Sequence, residues 1–502
     1  MDFGFLQNLA TGFGAALSFN NLGFALIGCL LGTLIGVLPG IGPIPTIAML
    51  LPITFGLDPL SSLIMLAGIY YGAQYGGSTT SILVNIPGEA SSIVTCIDGH
   101  QMAKQGRAGV ALGVAALGSF FAGCVGTVFI AAFGPPLASI AQEFNAPENF
   151  SLMLLGLVTA VVLAHGSVIK AIGMVLVGLL FGLVGTDVNS GLTRYTFGVS
   201  ELWDGIDFLP LVIGMFGIVE IVRNLERPEL PRAQIYTGLR ELWPSVQDFK
   251  DSWRAVLRGT GLGSILGILP GGGAVLAAFA SYTVEKKLAA DPSRFGKGAI
   301  EGVAGPESAN NAAAQTSFIP LLTLGLPSNA IMALMMGAMI IHGIQPGSAV
   351  MTKRPDLFWG MVASMWIGNL MLLVINFPLI GIWVRLLSVP YRLLYPAILL
   401  FCVIGIYATN TNIAQLVMTA VFALFGYILV KFECEPAPLV LGFILGPLME
   451  ENLRRALVIS RGDPKIFLES WISIVLLALT VLVIVLIVLP QIRKSREQAF
   501  QE

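Results

Sequence analysis

The sequence predicts an all-α polytopic membrane protein built from two related halves. Three observations lead there. Of the 502 residues, 55% are hydrophobic and 11% are charged, where a soluble protein carries about 25% charged residues. Long apolar runs recur at Gly109–Phe133, Leu152–Leu163, Ala397–Ile406 and Trp471–Pro490. One stretch rich in proline and glycine occurs twice, in register. The runs are continuously apolar rather than alternating, which excludes a transmembrane β-barrel. A helix as long as Trp471–Pro490 spans about 30 Å, the thickness of a hydrocarbon core.

The first break lies at Leu34–Pro52, LIGVLPGIGPIPTIAMLLP, with four prolines and three glycines. Each proline removes a backbone donor, and each glycine loosens the helix. An unpaired backbone group in hydrocarbon is costly, so such a stretch is expected to line something other than lipid. The second break follows 231 residues later. LGSILGILPGGG (Leu262–Gly273) matches LGTLIGVLPGIG (Leu31–Gly42) at seven of twelve positions, with four conservative changes. Gly32, Gly36, Gly263 and Gly267, spaced four apart, are expected to serve close helix packing.

A small, hydroxyl-rich stretch, an apolar run and a polar tip follow each break. The first set is Tyr70–Ser92, ending in NIPGEASS (Asn85–Ser92); the second is Gly305–Ala330, ending in LPSNA (Leu326–Ala330). Aligning the two sets needs a gap of a few residues. Between the halves, Arg223–Arg258 holds seven Lys or Arg and five Asp or Glu, with Pro228, Pro231 and Pro244. It reads as an aqueous linker on the cytoplasmic side, which basic residues favour. The expected organisation is a first transmembrane repeat at 19–222, the polar linker at 223–258, a second repeat at 259–468 and an additional C-terminal helix at 469–490. The repeats are expected to be inverted, with broken helices or re-entrant hairpins and roughly ten to twelve membrane-spanning segments in all.

Charge does not fix the side of the N-terminus. The first Lys or Arg is Lys104, and basic clusters at Arg454–Lys465 and Arg493–Arg496 flank the last apolar helix. The N-terminus lacks the basic region and small-residue cleavage site of a secretory signal, so no cleaved peptide is expected. Asp98, His100, Lys104 and Arg107 follow the first tip and are expected to mark a return to the water interface. Lys170 stands in AHGSVIKAIG, expected to be a short turn.

Several function classes are excluded by what the chain carries. A net charge of −2 gives no nucleic-acid signature. The five cysteines are isolated, so neither a disulfide framework nor a CxxC metal site is expected. His100, His165 and His342 lie far apart, which leaves no transition-metal site. No HExxH, GxSxG or GxxxxGK[ST] motif occurs, so an enzyme or a nucleotide-driven pump is not expected.

Duplicated halves with Gly/Pro-interrupted helices at matching positions point to a secondary transporter. Half-helix N-termini favour an anion, and unwound carbonyls favour a cation. Asn85, Gly88, Ser91, Ser92, Ser328 and Asn329 are the candidate substrate-binding residues. They offer uncharged donors and, at Gly88, close backbone approach to a carboxylate. Gly40, Gly42, Ser78, Thr79, Thr80, Gly271, Gly273, Ser308, Asn310, Asn311 and Thr316 are the candidates for cation binding, since hydroxyl, amide and carbonyl oxygens suit Na⁺. Glu89 and Glu307 are ionisable groups at membrane depth and hence functional candidates, including for a proton as the coupling ion. A carboxylate or anion channel and a carrier working without a binding protein are the alternatives.

GTLIGVLPGIGP, YYGAQYGGSTTSILVNIPGE, DGHQMAKQGRAG and GPESANNAAAQTSFIPLLTLGLPSNA resemble the large membrane subunit of the tripartite tricarboxylate transporters, the TctA family, from about Phe19 to Pro490. The resemblance implies a permease in the bacterial inner membrane. It implies a small TctB-like membrane subunit and a periplasmic TctC-like solute-binding protein as partners. It further implies uptake of citrate or other carboxylates driven by an ion gradient, with no organic cofactor.

Overall fold

The computed structural model describes residues 3–38, 42–163, 167–187, 190–226, 242–269, 273–386 and 391–488. Gly40 and Gly271, most of the charged linker (227–241) and the basic cluster after the last helix lie outside these residues. The fold is all-α apart from a two-residue antiparallel ribbon, Gly185–Thr186 against Thr193–Arg194. In chain order the helices are α1 (Phe3–Ala16), α2 (Phe19–Val37), α3 (Pro43–Thr54), α4 (Pro59–Val84), α5 (Ile93–Met102), α6 (Ala108–Ala141), α7 (Ala146–Leu163), α8 (Val168–Gly182), α9 (Phe208–Val212) and α10 (Val219–Glu226). Then come α11 (Val246–Ile268), α12 (Gly273–Leu288), α13 (Glu301–Thr316), α14 (Phe318–Leu324), α15 (Ala330–Ile341), α16 (Ser348–Lys353), α17 (Pro355–Asn376), α18 (Ile380–Leu386), α19 (Tyr391–Asn410), α20 (Ile413–Lys431), α21 (Pro436–Ile459) and α22 (Trp471–Val488).

Among the described residues, five continuous helical stretches are long and apolar enough to cross a membrane, α2, α17 and α20 among them. Five further apolar helices are shorter, α3, α7, α8, α15 and α22 among the described residues. The apolar runs at Gly109–Phe133, Leu152–Leu163 and Ala397–Ile406 each fall within one helix, α6, α7 and α19, and the last run forms α22. Large apolar side chains stand exposed along α8 (Ile169, Leu176, Leu180), α20 (Val417, Val421, Leu424) and α22 (Val481, Leu482, Val485). A bilayer covers such surfaces, and water does not.

Two helices run through the protein interior. Every residue of α4 from Leu60 to Leu83 is buried, as is every residue of α13 from Gly302 to Thr316. Both carry polar side chains in this position. Each is approached closely by a glycine-lined partner. A Cβ added at Gly28, Gly32 or Gly36 of α2 would come within 2.3–2.5 Å of the carbonyl oxygens of Met65, Ile69 and Ala73 on α4. A Cβ at Gly259, Gly263 or Gly267 of α11 would come within 2.1–2.5 Å of the carbonyls of Gly305, Ala309 and Ala313 on α13. Only glycine permits these approaches. The glycines of the two seams are 231 residues apart and their carbonyl partners 240 apart (65 to 305, 69 to 309, 73 to 313).

Both proline–glycine motifs coincide with helix ends. α2 stops at Val37 and α3 starts at Pro43; α11 stops at Ile268 and α12 starts at Gly273. Gly42 (φ 67°) and Gly273 (φ 50°) take positive φ at these starts, where a side chain would be strained. Helix α11 begins inside the stretch read as linker. Its N-terminus is fixed by a capping box, with Ser245 and Asp248 each bonding the other's backbone, and Arg107 pairs with Asp248.

One expectation for the polar residues is corrected here, at Lys170, and Asp98 and His100 are found buried within the protein. The Asp98 carboxylate accepts from the backbone N–H groups of Gly296 (2.9 Å), Gly298 (2.8 Å) and Ala299 (2.8 Å) and from Tyr282 Oη (2.9 Å). It thereby ties α5 to the loop between α12 and α13. His100, also buried, bonds the Ile82 carbonyl, while Lys104 is exposed. Lys170 is in the first turn of α8, donating to the Phe432 carbonyl and to Glu433; the chain there is helix, not turn, from Val168 on.

Candidate functional site

The site is assembled where α4 and α13 end. Helix α4 closes at Asn85, which takes a left-handed conformation (φ 57°, ψ 34°), a position that asparagine tolerates because its short polar side chain can bond locally. The chain then reverses through Ile86, Pro87 and Gly88. Gly88 lies so close to α2 that a Cβ would sit 2.0 Å from the Gly36 carbonyl and 2.6 Å from Gly77 Cα. Glu89 follows in extended backbone and caps the short turn Ala90–Ser92 that leads into α5. Ser92 Oγ and the Glu89 backbone bond each other, and Ser91 hydroxyl lies between the Glu89 carboxylate and Gln74 Oε1 (2.7 Å). Ser81 on α4 donates to the Ser92 carbonyl at 3.0 Å, pinning the tip to its own helix. The Asn85 side chain is exposed and makes no hydrogen bond among the described residues.

The second tip has the same backbone course. Helix α14 closes at Gly325 in the left-handed region (φ 69°, ψ 26°). Leu326, Pro327 and Ser328 reverse the chain, and Asn329 in extended backbone caps α15, its Oδ1 accepting from the Met332 N–H at 3.0 Å. Ser328 donates to the Ser317 carbonyl (3.3 Å), and Asn329 Nδ2 donates to Ser317 Oγ (3.2 Å). Asn85 therefore corresponds to Gly325, Gly88 to Ser328 and Glu89 to Asn329, each 240 residues on. The gap is nine residues relative to the glycine seams. Reading both tips for uncharged donors had set Ser91 and Ser92 beside Ser328 and Asn329; the backbone sets a carboxylate opposite an amide.

The tips are joined through shared neighbours. Tyr70 of α4 has Ser317 and Asn329 beside its hydroxyl and lies within reach of the Glu89 charge. The second break meets the second tip, since a Cβ on Gly273 would lie 3.7–3.8 Å from Asn329. Helix α12 packs on the Ala90–Ser92 turn and α3 packs on α15. One helix that starts at a break thus packs on the first tip, and the other packs on the helix that follows the second tip.

Between the two interior helices lies a carboxylate. Glu307 is 0% exposed. It accepts from Ser78 Oγ (2.5 Å), from Thr95 Oγ1 and from Asn310 Nδ2 (3.5 Å). Asn311 Nδ2 bonds Asn310 Oδ1 (2.6 Å), Ser119 Oγ (2.8 Å) and the Glu307 carbonyl (3.0 Å). No ion pair reaches Glu307 or Glu89 among the described residues. An isolated buried carboxylate is unfavourable unless compensated, so hydroxyl and amide donors, together with any bound cation or proton, must supply the balance.

The sequence-chosen cation candidates fall into separate places. Ser78, Asn310 and Asn311 gather at Glu307. Ser308 faces Gly118 on α6 and bonds the Ala304 carbonyl. Thr80 reaches the other way, to the Val37 carbonyl at 2.8 Å, at the edge of the first break. Thr316 bonds back to Ala312 and fills the space over Gly267. Thr79 makes one long bond, to Tyr75 O. Sequence reasoning missed Gln74, Tyr75, Thr95, Ser119 and Asn376, all buried or partly ligating here. A search for neutral polar groups inside apolar runs, rather than for charges alone, would have found Ser119 in α6 and Asn369 and Asn376 in α17.

Compared with known proteins, residues 22–441 match the tripartite tricarboxylate transporter TctA family. The chain is 58% identical over 497 residues to an uncharacterized 52.8 kDa protein in the TAR-I ttuC' 3'region of Agrobacterium vitis, covering 99% of both chains. It is 59% identical over 240 residues to an uncharacterized protein in the TAR-II ttuC' 3'region of the same organism, covering 48% of this chain and 99% of the relative. No solved structure matches it.

Proposed function

The chain belongs to the tripartite tricarboxylate transporter TctA family, and from that premise we propose that it is the permease of an ion-gradient-driven uptake system for tricarboxylates or related carboxylates. In this reading it lies in the bacterial inner membrane. It works with a small membrane subunit and receives substrate from a periplasmic binding protein, as the family's tripartite description implies. Na⁺ is the coupling ion.

The observation that carries the reading is the pair of tips. Helices α4 and α14 end in the same left-handed cap, and the chain then reverses through proline and restarts at an extended capping residue. In a transporter such reversals at membrane depth line a cavity. The crosswise packing of α12 on the first tip and of α3 on α15 supports two repeats related by a two-fold, which exchanges partners in this way; in this reading the repeats are inverted. The repeats are taken as 19–222 and 259–468, joined by the polar linker 223–258 and followed by the helix at 469–490.

The substrate is held between the tips. Asn329 and Ser328 stand at the N-terminus of α15, twelve residues long, where unpaired N–H groups and the helix dipole favour a carboxylate. Asn85 offers an unengaged amide from the other tip, and Gly88, Ser91 and Ser92 shape the wall. Glu89 would repel an anion unless neutralised, so a cation or proton must accompany the substrate there. That requirement ties substrate binding to ion binding, with the Ser78–Asn310–Asn311 cluster and the breaks at Gly42 and Gly273 as the cation side.

Uptake into proteoliposomes tests the proposal. A panel of carboxylates is presented with and without the binding protein, under an inward Na⁺ gradient and then with the Na⁺ and proton gradients dissipated while ATP remains. Concentrative uptake that requires the gradient is expected. Uptake that persists after dissipation contradicts the coupling, and flux that neither saturates nor counterflows indicates a channel.

A further inference from the structure

A small buried cavity lies beside Glu307, between α4, α6 and α17. It measures about 10 Å³ as the space open to the centre of a water-sized particle, room for one such particle. Its polar lining is Tyr75, Ser78, Thr79, Ser119 and Asn376; the rest is three apolar residues of α6. Tyr75 is 4% and Asn376 is 6% exposed. Tyr75 Oη and Asn376 Oδ1 are buried without a hydrogen-bond partner. Asn376 is held with its amide nitrogen turned away, donating to Thr33 Oγ1 (3.1 Å) and to the Leu372 carbonyl (3.0 Å). Its oxygen is thereby left as an acceptor. Leaving two buried oxygens unpaired is unfavourable by on the order of 1–3 kcal/mol each, and a bound ligand would remove that penalty.

The polar part of the lining suits a cation. The polar groups present oxygens: three hydroxyls of Ser78, Thr79 and Ser119, a phenol and an amide carbonyl. The hydroxyl protons of Ser78 and Ser119 are directed elsewhere, to Glu307 Oε2 or Gln74 O and to the Glu307 carbonyl. Ser78 keeps its lone pairs for a ligand, and Ser119 keeps the one not taken by Asn311 Nδ2 (2.8 Å). Asn376 is the last residue of α17, where unpaired carbonyls give a helix its negative end. The counter-charge is Glu307, one hydroxyl away through Ser78. A dehydrated monovalent cation needs such a charge nearby, and oxygen ligands suit a hard ion.

The structure assigns this cavity as a binding site for a single dehydrated monovalent cation, Na⁺, coordinated by Tyr75, Thr79, Ser119, Ser78 and Asn376 and balanced by Glu307. The assignment rests on the Na⁺-coupled reading above and locates its ion away from the tips, on residues outside the second break. Tyr75→Phe removes only the unpaired hydroxyl and conserves the ring, so it tests the site with little disturbance of packing. Thr79→Val, an isostere lacking the oxygen, provides the second variant should Tyr75→Phe fail to fold.

Two readouts on the full chain are compared in wild type, the two variants and Tyr71→Phe, a buried tyrosine of α4 that does not line the cavity. One is the Na⁺ concentration for half-maximal carboxylate uptake, with binding protein present. The other is the Na⁺ midpoint of thermal stabilisation without substrate, with choline as the balancing cation. Tyr75→Phe and Thr79→Val are expected to raise both midpoints about tenfold or more, with the maximal rate at saturating Na⁺ within about twofold; Tyr71→Phe leaves both unchanged. A wild type that depends on Na⁺ with folded variants whose midpoints do not move overturns this site and leaves the coupled reading standing. A wild type with no Na⁺ dependence in either readout overturns both.

Discussion

The two tips share a backbone and differ in chemistry. At the first, Asn85 holds the left-handed cap, Gly88 lies against α2, and Glu89 caps the next turn. At the second, Gly325, Ser328 and Asn329 fill the same places. The left-handed cap and the extended cap fix the reversal, and a residue of either kind can supply each conformation. The side chains are then free to diverge. One tip carries a carboxylate and suits a cation; the other carries an amide and suits a carboxylate at the N-terminus of α15. The comparison teaches that one backbone course is built from different side chains at the two tips, and the proposed division of cation and carboxylate binding follows from that difference.

The largest effect is expected where the two carboxylates are set against each other. Glu307→Gln removes a fully buried counter-charge and should weaken Na⁺ binding by about 3–5 kcal/mol, the scale of breaking a buried charge pair. Glu89 is half-buried and already bonded by Ser91, so Glu89→Gln should shift the Na⁺ midpoint less. Titration of Na⁺-dependent uptake in each variant decides the order. Equal shifts would mean that the ion sits between the carboxylates rather than beside Glu307. If coupling survives both substitutions together, neither group carries the coupling charge.

Next is packing at Gly88 and Ser328. Gly88→Ala forces a methyl into the Gly36 carbonyl and should destabilise by about 1–3 kcal/mol. Ser328→Ala loses one bond to Ser317 O, worth about 0.5–1.5 kcal/mol. Thermal unfolding in detergent compares them, and a Ser328→Ala effect larger than that of Gly88→Ala would show that the two positions are not equivalent. The two caps differ from each other, and the smallest effect of all is at Asn85. Gly325→Ala puts a Cβ in the left-handed region, which is unfavourable by about 1–2 kcal/mol, while Asn85→Gly should change stability by only a few tenths. An Asn85→Gly effect above about 1 kcal/mol would assign Asn85 a structural bond.

Much of this was legible in the sequence, and the rest was hidden for identifiable reasons. The breaks stood out because proline and glycine cannot continue a helix unnoticed, and α2 and α11 do end at them. The glycine spacing of the seams was equally plain. Their partner surfaces were not, because the contacts are to backbone carbonyls of Met65, Ile69 and Ala73 in one case and of Gly305, Ala309 and Ala313 in the other. A contact made to the main chain leaves no residue identity to match. The offset of the tips was hidden likewise, since Asn85 and Gly325 share a conformation and not a side chain. The burial of Asp98 was not legible, because its partners are the N–H groups of Gly296, Gly298 and Ala299, distant in sequence and without side-chain signature. Asn376 stood out only as a neutral polar group in an apolar run, and Tyr75 gave no signal until the fold enclosed a cavity with both.

The claim that the two tips hold one carboxylate between them is tested most directly by substrate affinity in the Asn85→Ala, Asn329→Ala and doubly substituted proteins. Each is reconstituted at matched expression and assayed at saturating Na⁺ with the binding protein present. Each single substitution is expected to weaken binding by about 0.5–3 kcal/mol, and the double variant to lose roughly tenfold or more in affinity. A double variant that folds normally and transports with unchanged affinity would contradict the account.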